Sequence, residues 1–188
     1  MTIGFNHLGR HGRLGNQMFQ YAGLRGIAAH KGYDFAIPPS DFNDEWNDHQ
    51  LFEAFKLTGL TNIQEIPGPY VQEAHFHFDQ NLFDNMPDGH NVYAYLQSTK
   101  YFEHIEEEIR EDFEFKNDIH LPCKEMMNTL KDPIALHVRR GDYIENSDNH
   151  PPCPKEYYDT ALSKFDNDRT VVVFSDDPEW CGTEFPDD

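Results

Sequence analysis

The chain has little cysteine, little positive charge and no long apolar run. Its three cysteines, Cys123, Cys153 and Cys181, are odd in number and show no C-x-x-C spacing. That argues against a disulfide framework and predicts a reduced, cytoplasmic setting. The N-terminus Met1-Thr2-Ile3-Gly4-Phe5-Asn6-His7 lacks a charged segment followed by an apolar one, and no stretch approaches the length of a membrane span. The reading is of a chain with no secretion signal and no membrane span. Only 15 Lys and Arg stand against 34 Asp and Glu, a net charge of −19. Such a surface repels nucleic-acid phosphates and anionic membranes, so no nucleic-acid partner is expected. An anionic ligand can bind only where local positive groups overcome that field.

What is present is enough for a packed core. The 188 residues are 38% hydrophobic and 14% aromatic, which excludes low-complexity disorder over most of the length. A glycine-rich loop, Gly9 to Gly15, leads into a run in which Met18, Tyr21, Ala22, Arg25, Ala28 and Ala29 fall at helical spacing. Gly32 suits the C-cap of that helix, and Tyr33 to Ile37 alternates as a strand before Pro38-Pro39. Loop, helix and strand begin an α/β unit. Residues 40–90 are aromatic, acidic and turn-rich, with a short helix expected near Gln50–Lys56 and irregular loops beyond. Val92–Leu96 reads as a strand and Lys100–Phe113 as a helix, with Phe102, Ile105, Ile109 and Phe113 spaced by three and four.

Periodicity stops around Asn117–Pro122, which sets the expected domains at 1–120 and 121–188. In the second, Cys123–Leu130 reads as a helix, Pro133–Val138 as a strand, Glu156–Phe165 as a helix and Thr170–Phe174 as a strand. The order predicts a parallel pair with a right-handed crossover. A parallel sheet of two strands cannot cover both its faces. Either this unit borrows strands from the first, or the chain is a shortened form of something longer.

Three motifs carry chemistry. The first is Gly12-Arg13-Leu14-Gly15-Asn16-Gln17. Glycines let backbone approach a ligand, and the following helix offers free N–H groups and a positive dipole end. Arg13 adds charge, and Asn16 can donate and accept towards a sugar hydroxyl. No Lys-Ser/Thr follows, so this is not a Walker loop; a plain helix start is the equal alternative. The second is His137-Val138-Arg139-Arg140-Gly141-Asp142, a buried strand delivering two arginines to the rim of a sheet. Guanidinium forks match phosphate oxygens, and ligands in open α/β sheets bind beyond the carboxyl ends of strands. Strand alternation would put His137 and Arg139 on one face and Arg140 on the other. One arginine could then grip a diphosphate while the other pairs with a carboxylate such as Asp142; a structural Arg–Asp pair is the plainer alternative. His137 itself reads as a hydrogen-bonded core histidine rather than a base. The third is Phe174-Ser175-Asp176-Asp177-Pro178. One aspartate should N-cap a helix starting at Pro178, leaving the other for ribose or base donors or, as a competing idea, a divalent metal. His75-Phe76-His77 reads as a chance pair, because no spacing fixes further zinc ligands. Tyr157 and Tyr158, with Leu162 and Phe165, read as core.

In this order the motifs resemble the family 11 glycosyltransferases, the α-1,2-fucosyltransferases of bacteria, viruses and animals. The matching pieces are Gly12-Arg-Leu-Gly-Asn-Gln-Met-Phe-Gln-Tyr-Ala22, Leu96-Gln-Ser-Thr-Lys-Tyr-Phe102, His137-Val-Arg-Arg-Gly-Asp-Tyr143, His150-Pro-Pro-Cys-Pro-Lys-Glu-Tyr-Tyr158 and Phe174-Ser-Asp-Asp-Pro-Glu-Trp-Cys181. The resemblance implies an α/β, GT-B-like architecture. A Rossmann-type N-terminal domain would lie on the acceptor side, and the second domain would be the start of a donor-binding one. It implies GDP-fucose as donor substrate with no cofactor and no metal, a galactose-containing oligosaccharide acceptor, and inverting transfer to the galactoside 2-hydroxyl within membrane-associated glycan synthesis. By the same resemblance, one of Arg139 and Arg140 neutralises the β-phosphate of leaving GDP. Arg13, Gly15 and Asn16 line the donor from the first domain, and Ser175, Asp176 and Asp177 lie near the nucleoside, with His137 beside them. Arg139, Arg140, Asp142 and Asn16 are the catalytic candidates, with Asp142 either a base or an arginine's orienter. Family members continue into a Ser-rich, Trp-containing segment that this sequence does not show, so the expectation is of a C-terminally truncated member. The alternatives are a non-catalytic binding remnant, for a nucleotide sugar or a glycan, and a protein O-fucosyltransferase.

Overall fold

Thr2–Gly4 forms β1, the centre of a parallel sheet on which the first half of the chain is built. The computed structural model describes residues 1–40 and 49–186; the part of the turn-rich region at 41–48 lies outside the described residues. Helix α1 spans Leu14–Lys31 and closes at Gly32, in the left-handed conformation (φ 66°) that the sequence predicts for a C-cap. Strand β2 follows at Asp34–Ile37, then α2 at Leu51–Ala54, β3 at Asn62–Ile63, β4 at Tyr70–Gln72, α3 at Gln80–Asn85 and β5 at Asn91–Tyr93. The sheet order is β3-β2-β1-β5-β4, parallel throughout, with Ile3 opposite Phe35 and Val71 opposite Val92. Strand β1 therefore has β2 on one side and β5 on the other. The chain reverses its direction of travel there, and the crevice beyond the carboxyl end of such a switch point is where α/β sheets hold ligands.

Two expectations for this half are corrected. The stretch beyond Lys56 is not wholly irregular: β3, β4 and α3 lie in it. They are two to six residues long, too short for periodicity to register. The continuous helix expected over Lys100–Phe113 is instead two 3-10 turns, Thr99–Tyr101 and Glu103–Ile105, followed by α4 at Glu106–Asp112. The reason is close packing against α1. A Cβ on Gly26 would sit 2.0 Å from the Tyr101 carbonyl oxygen, so the segment crosses α1 backbone to backbone, which a regular helix carrying side chains could not do. The core below the sheet contains Ile3, Phe5, Leu8, Tyr21, Leu24, Ile27, Ile37 and Leu96.

Compactness divides the chain at His120/Leu121, inside α5, Asn117–Met127. The loss of periodicity near Asn117–Pro122 thus reflects a helix that carries Pro122 and buries no residue, not a loop. Beyond it come β6 at Ile134–Val138, α6 at Gly141–Glu145, α7 at Lys155–Leu162, β7 at Val171–Ser175 and α8 at Pro178–Glu184. Strands β6 and β7 pair in parallel as a sheet of their own, with Leu136 opposite Val173 and Val138 opposite Ser175. One face is filled by Leu136, Val138, Tyr158 and Cys181, packed with Leu162, Val173, Trp180 and Phe185. Tyr158 is core as the helical spacing suggests, whereas Tyr157 and Phe165 are exposed.

Candidate functional site: arginines at the end of β6

The strand β6 stops at Val138 and α6 begins at Gly141, so Arg139 and Arg140 lie in the turn between them. Period-two alternation does not extend into that turn. Both arginines bend towards the β7–α8 turn instead of pointing to opposite faces. Arg139 donates from Nη2 to Asp142 Oδ1 at 2.5 Å, and its Nη1 lies 3.0 Å from Asp176 Oδ2. Arg140 donates its backbone N–H to Asp176 Oδ1 at 2.8 Å and its Nε–H to Asp177 Oδ2 at 3.0 Å. Its guanidinium lies over the Trp180 ring, 4.0 Å from the centroid.

The carboxylates are held as firmly. Asp177 Oδ1 accepts from the Trp180 N–H at 3.1 Å and so caps α8, with Pro178 in the first turn, as the sequence predicts. Ser175 Oγ accepts from the Asp177 N–H at 2.9 Å. The second aspartate was expected to be free; it is not, because Asp176 bridges both arginines. The Arg140 N–H, with the Arg139 charge behind it, holds the Asp176 carboxyl below the ordinary carboxylate range. Gly141 is required here, since a Cβ would lie 2.7 Å from Asp176 Oδ2. His137 corrects a further expectation: it is exposed, on the uncovered face of β6, while Leu136 and Val138 on either side are buried. Strand alternation decides this, and the small core accepts only the aliphatic face.

The structure thus gathers Arg139, Arg140, Asp142, Ser175, Asp176 and Asp177 at the carboxyl end of a parallel pair. Two guanidinium charges face three carboxylates, so the cluster as it stands is not cationic. An anion must compete with these carboxylates for the guanidinium donors. The weakest partner is Asp142, whose side chain is 60% exposed, and exposed pairs contribute about 0–1 kcal/mol. Arg139 is therefore the arginine that can turn to a ligand, while Arg140, tied to Asp177 and stacked on Trp180, is the one that keeps the turn in place.

The other candidates belong to the first unit. Arg13 is the N-cap residue of α1, exposed, with extended backbone and no side-chain cap bond; no acidic residue occupies the first turn. Gly15 is exposed, and Asn16 Oδ1 accepts from Gln97 Nε2 at 2.6 Å. The glutamines around them matter more than the motif alone indicates. Gln17 and Gln20 are both fully buried. Gln20 Nε2 donates to the His11 carbonyl at 2.9 Å and Gln17 Nε2 to the Gly12 carbonyl at 3.3 Å. The helix thereby clamps the loop that precedes it.

Sequence reading missed Asp112. It is fully buried and accepts from Tyr21 Oη at 2.6 Å, Gly59 N at 2.7 Å, Thr58 Oγ1 at 3.2 Å and Arg25 Nη1. In sequence it looked like one more acid of a solvated helix, and only its partners, 50 and more residues away, distinguish it. The pair His75 and His77 stack on each other, with ring centroids 3.5 Å apart.

The arginines stand at the carboxyl end of a strand in a parallel α/β fold, the place where open α/β sheets bind ligands. The comparisons make it specific: residues 2–188 match the model of glycosyl transferase family 11, and the chain belongs to that family. It is 26% identical to an alpha-1,2-colitosyltransferase of Escherichia coli over 90% of this chain and 68% of that protein. It is 25% identical to galactoside alpha-(1,2)-fucosyltransferase 2 of Sus scrofa over 90% of this chain but 53% of that one. The chain thus spans 53% to 68% of the length of these relatives. Among solved structures, the fucosyltransferase NodZ from Bradyrhizobium matches with a TM-score of 0.57 and 14% identity, covering 99% of this chain and 77% of that one. NodZ co-crystallised with GDP gives the same TM-score, 0.57. The fold is accordingly α/β and GT-B-like, as the motifs suggested. No helix among the described residues is long and apolar enough to cross a membrane.

Proposed function

We propose that this chain serves the inverting transfer of fucose from GDP-fucose to the 2-hydroxyl of a galactoside in a glycan. The carrying observation is the pair Arg139 and Arg140, fixed by Asp142, Asp176 and Asp177 at the end of β6. The relatives' names support the linkage, since both the colitosyl- and the fucosyltransferase are specified as α-1,2.

When the bond between the sugar's anomeric carbon and the β-phosphate oxygen breaks, negative charge accumulates on GDP. Preorganised guanidinium groups stabilise that charge without reorganisation, and such electrostatic stabilisation is usually the largest contribution to rate. Arg139 exchanges Asp142 for the β-phosphate, and Arg140 keeps the turn in register. The acceptor hydroxyl attacks from the opposite face of the sugar, which inverts the anomeric centre. Its proton leaves to a base that is either Asp142, once released from Arg139, or a group the acceptor brings near. Ser175, Asp176 and Asp177 neighbour the nucleoside. The charge is supplied by arginine, so the reaction as proposed uses no metal, and GDP-fucose is a substrate rather than a cofactor.

The test is calorimetric titration of GDP and GDP-fucose into the unmutated chain and into Arg139→Ala, followed by GDP release with lactose as acceptor. Binding that Arg139→Ala weakens at least about tenfold supports the site. Lactose-dependent GDP release supports transfer. Binding without release would make the chain a nucleotide-sugar-binding protein, and no binding would overturn the donor site.

A further inference from the structure

Arg139 has a neighbour besides its two carboxylates. Its guanidinium carbon lies over the Tyr143 ring, 5.3 Å from the centroid, inside the roughly 6 Å over which a ring face attracts a cation. The ring is itself held. His150 stacks on it, with centroids 5.0 Å apart and planes 22° apart. Local bonds bring His150 back to α6: the Asn146 N–H donates to the Asp142 carbonyl at 3.1 Å, and the His150 N–H to the Asn146 carbonyl at 2.9 Å. Asn149 Nδ2 adds a bond to Asn146 Oδ1 at 2.7 Å. Tyr143 is half-buried, although Asp142 and Ile144 on either side of it are exposed.

These neighbours answer a ligand differently. Asp142 and Asp176 engage the Arg139 nitrogens, whose N–H groups are the donors that phosphate oxygens take. An arriving anion therefore competes with both. The ring attracts the guanidinium charge as a whole, through its quadrupole, so this contact persists when the N–H groups change partner. Without it, Arg139 released from Asp142 would regain its rotamers, and the ligand would have to freeze them again.

We propose that Tyr143 is a positioning residue for the diphosphate. Its ring keeps the Arg139 guanidinium at the end of β6 while Asp142 gives way to the β-phosphate. The inference rests on the GDP reading given above and deepens it. Of the two residues that α6 presents to Arg139, Asp142 is the exchangeable partner and Tyr143 the permanent one.

The test uses the full chain and two nucleotides, GDP and GMP. Each is titrated calorimetrically into the unmutated chain, Arg139→Ala, Tyr143→Leu and Tyr143→Phe. GMP lacks the β-phosphate, so a contact acting through Arg139 moves GDP affinity alone, whereas a general loosening of α6 moves both. Thermal melts check that each variant folds. Tyr143→Leu is expected to weaken GDP about fivefold and GMP less than about twofold. Tyr143→Phe keeps the ring and should stay within about twofold of the unmutated chain for both. Added to Arg139→Ala, Tyr143→Leu should cost less than about a further twofold, because the two act as one unit. GDP affinity unchanged in folded Tyr143→Leu but weakened in Arg139→Ala would overturn the positioning role and leave the GDP reading standing. Equal losses for GDP and GMP would also overturn it. The NMR signal of the Arg139 Nε–H needs no nucleotide: the ring current of Tyr143 should displace it, in the unmutated chain and in Tyr143→Phe but not in Tyr143→Leu. That pattern without any GDP binding would overturn the GDP reading and leave Arg139 held by the ring. A signal unmoved by Tyr143→Leu would overturn the contact itself.

Discussion

The guanidinium carbon of Arg140 lies over Trp180, 4.0 Å from the ring centroid, while the same side chain donates to the carboxylate that caps the helix carrying Trp180. The helix cap, the ion pair and the ring stack are thus one device. Arg140, next to Arg139, gives up its own mobility so that the turn holds its shape.

Arg140→Lys should expose that role. Lysine keeps the charge but cannot stack as a plane or donate as a fork. GDP binding is expected to weaken by about 1 kcal/mol, several-fold in Kd. Trp180→Leu should produce a loss of similar size without touching any charge. Calorimetry on both variants checks this; a Trp180→Leu variant that binds GDP as well as the unmutated chain would separate the ring from the site.

Asp112→Ala should be among the most destabilising substitutions in the first unit. It would leave Arg25, Tyr21 Oη and the Gly59 N–H facing a buried void. Removing one partner of a buried pair costs about 3–5 kcal/mol. Urea titration followed by circular dichroism measures it. Asp112→Asn, which keeps the shape and some of the acceptors, should lose less.

Gly26→Ala tests the backbone approach between α1 and the Thr99–Tyr101 turn. The added methyl would meet the Tyr101 carbonyl at 2.0 Å, and backbone on both sides leaves little room to shift. Alanine raises helix propensity, so an isolated helix would gain about 1 kcal/mol. The expectation here is the opposite sign, a loss of about 1–3 kcal/mol from overpacking, read as a fall in melting temperature.

Stability should also decline in mild acid because of His49. Burial pushes its imidazole down from 6.5 to about 4. The unfolded chain takes up a proton near 6.5 and the folded chain does not until about 4. Between those values the unfolded state binds more protons, so stability falls as pH is lowered across that window, by on the order of 3 kcal/mol in all. His49→Phe keeps a ring against Phe52, 5.0 Å away, and should flatten the pH dependence between pH 6.5 and 4 without abolishing folding. Denaturant midpoints at several pH values decide it.

What the sequence determined by itself was local. Helix α1, its stop at Gly32, strands β2, β6 and β7, and the capping of α8 by one of Asp176 and Asp177 follow from periodicity, from a glycine that takes a left-handed cap cheaply, and from aspartates placed just before a proline-started helix. The motifs around Gly12–Gln17 and His137–Asp142 also carried the family. What only the tertiary structure decided was everything that depends on residues far apart in the chain. Strand β1 is three residues long and acquires its meaning from lying between β2 and β5. The 3-10 turns before α4 are set by the approach to Gly26. Asp112 is a buried hub because Arg25 and Gly59 reach it. Asp176 is not free, because Arg139 and the Arg140 N–H, some 36 residues earlier, take both its oxygens. Hydrogen bonds and packing act at a few ångströms, and sequence order says which residues are neighbours along the chain, not which become neighbours across it.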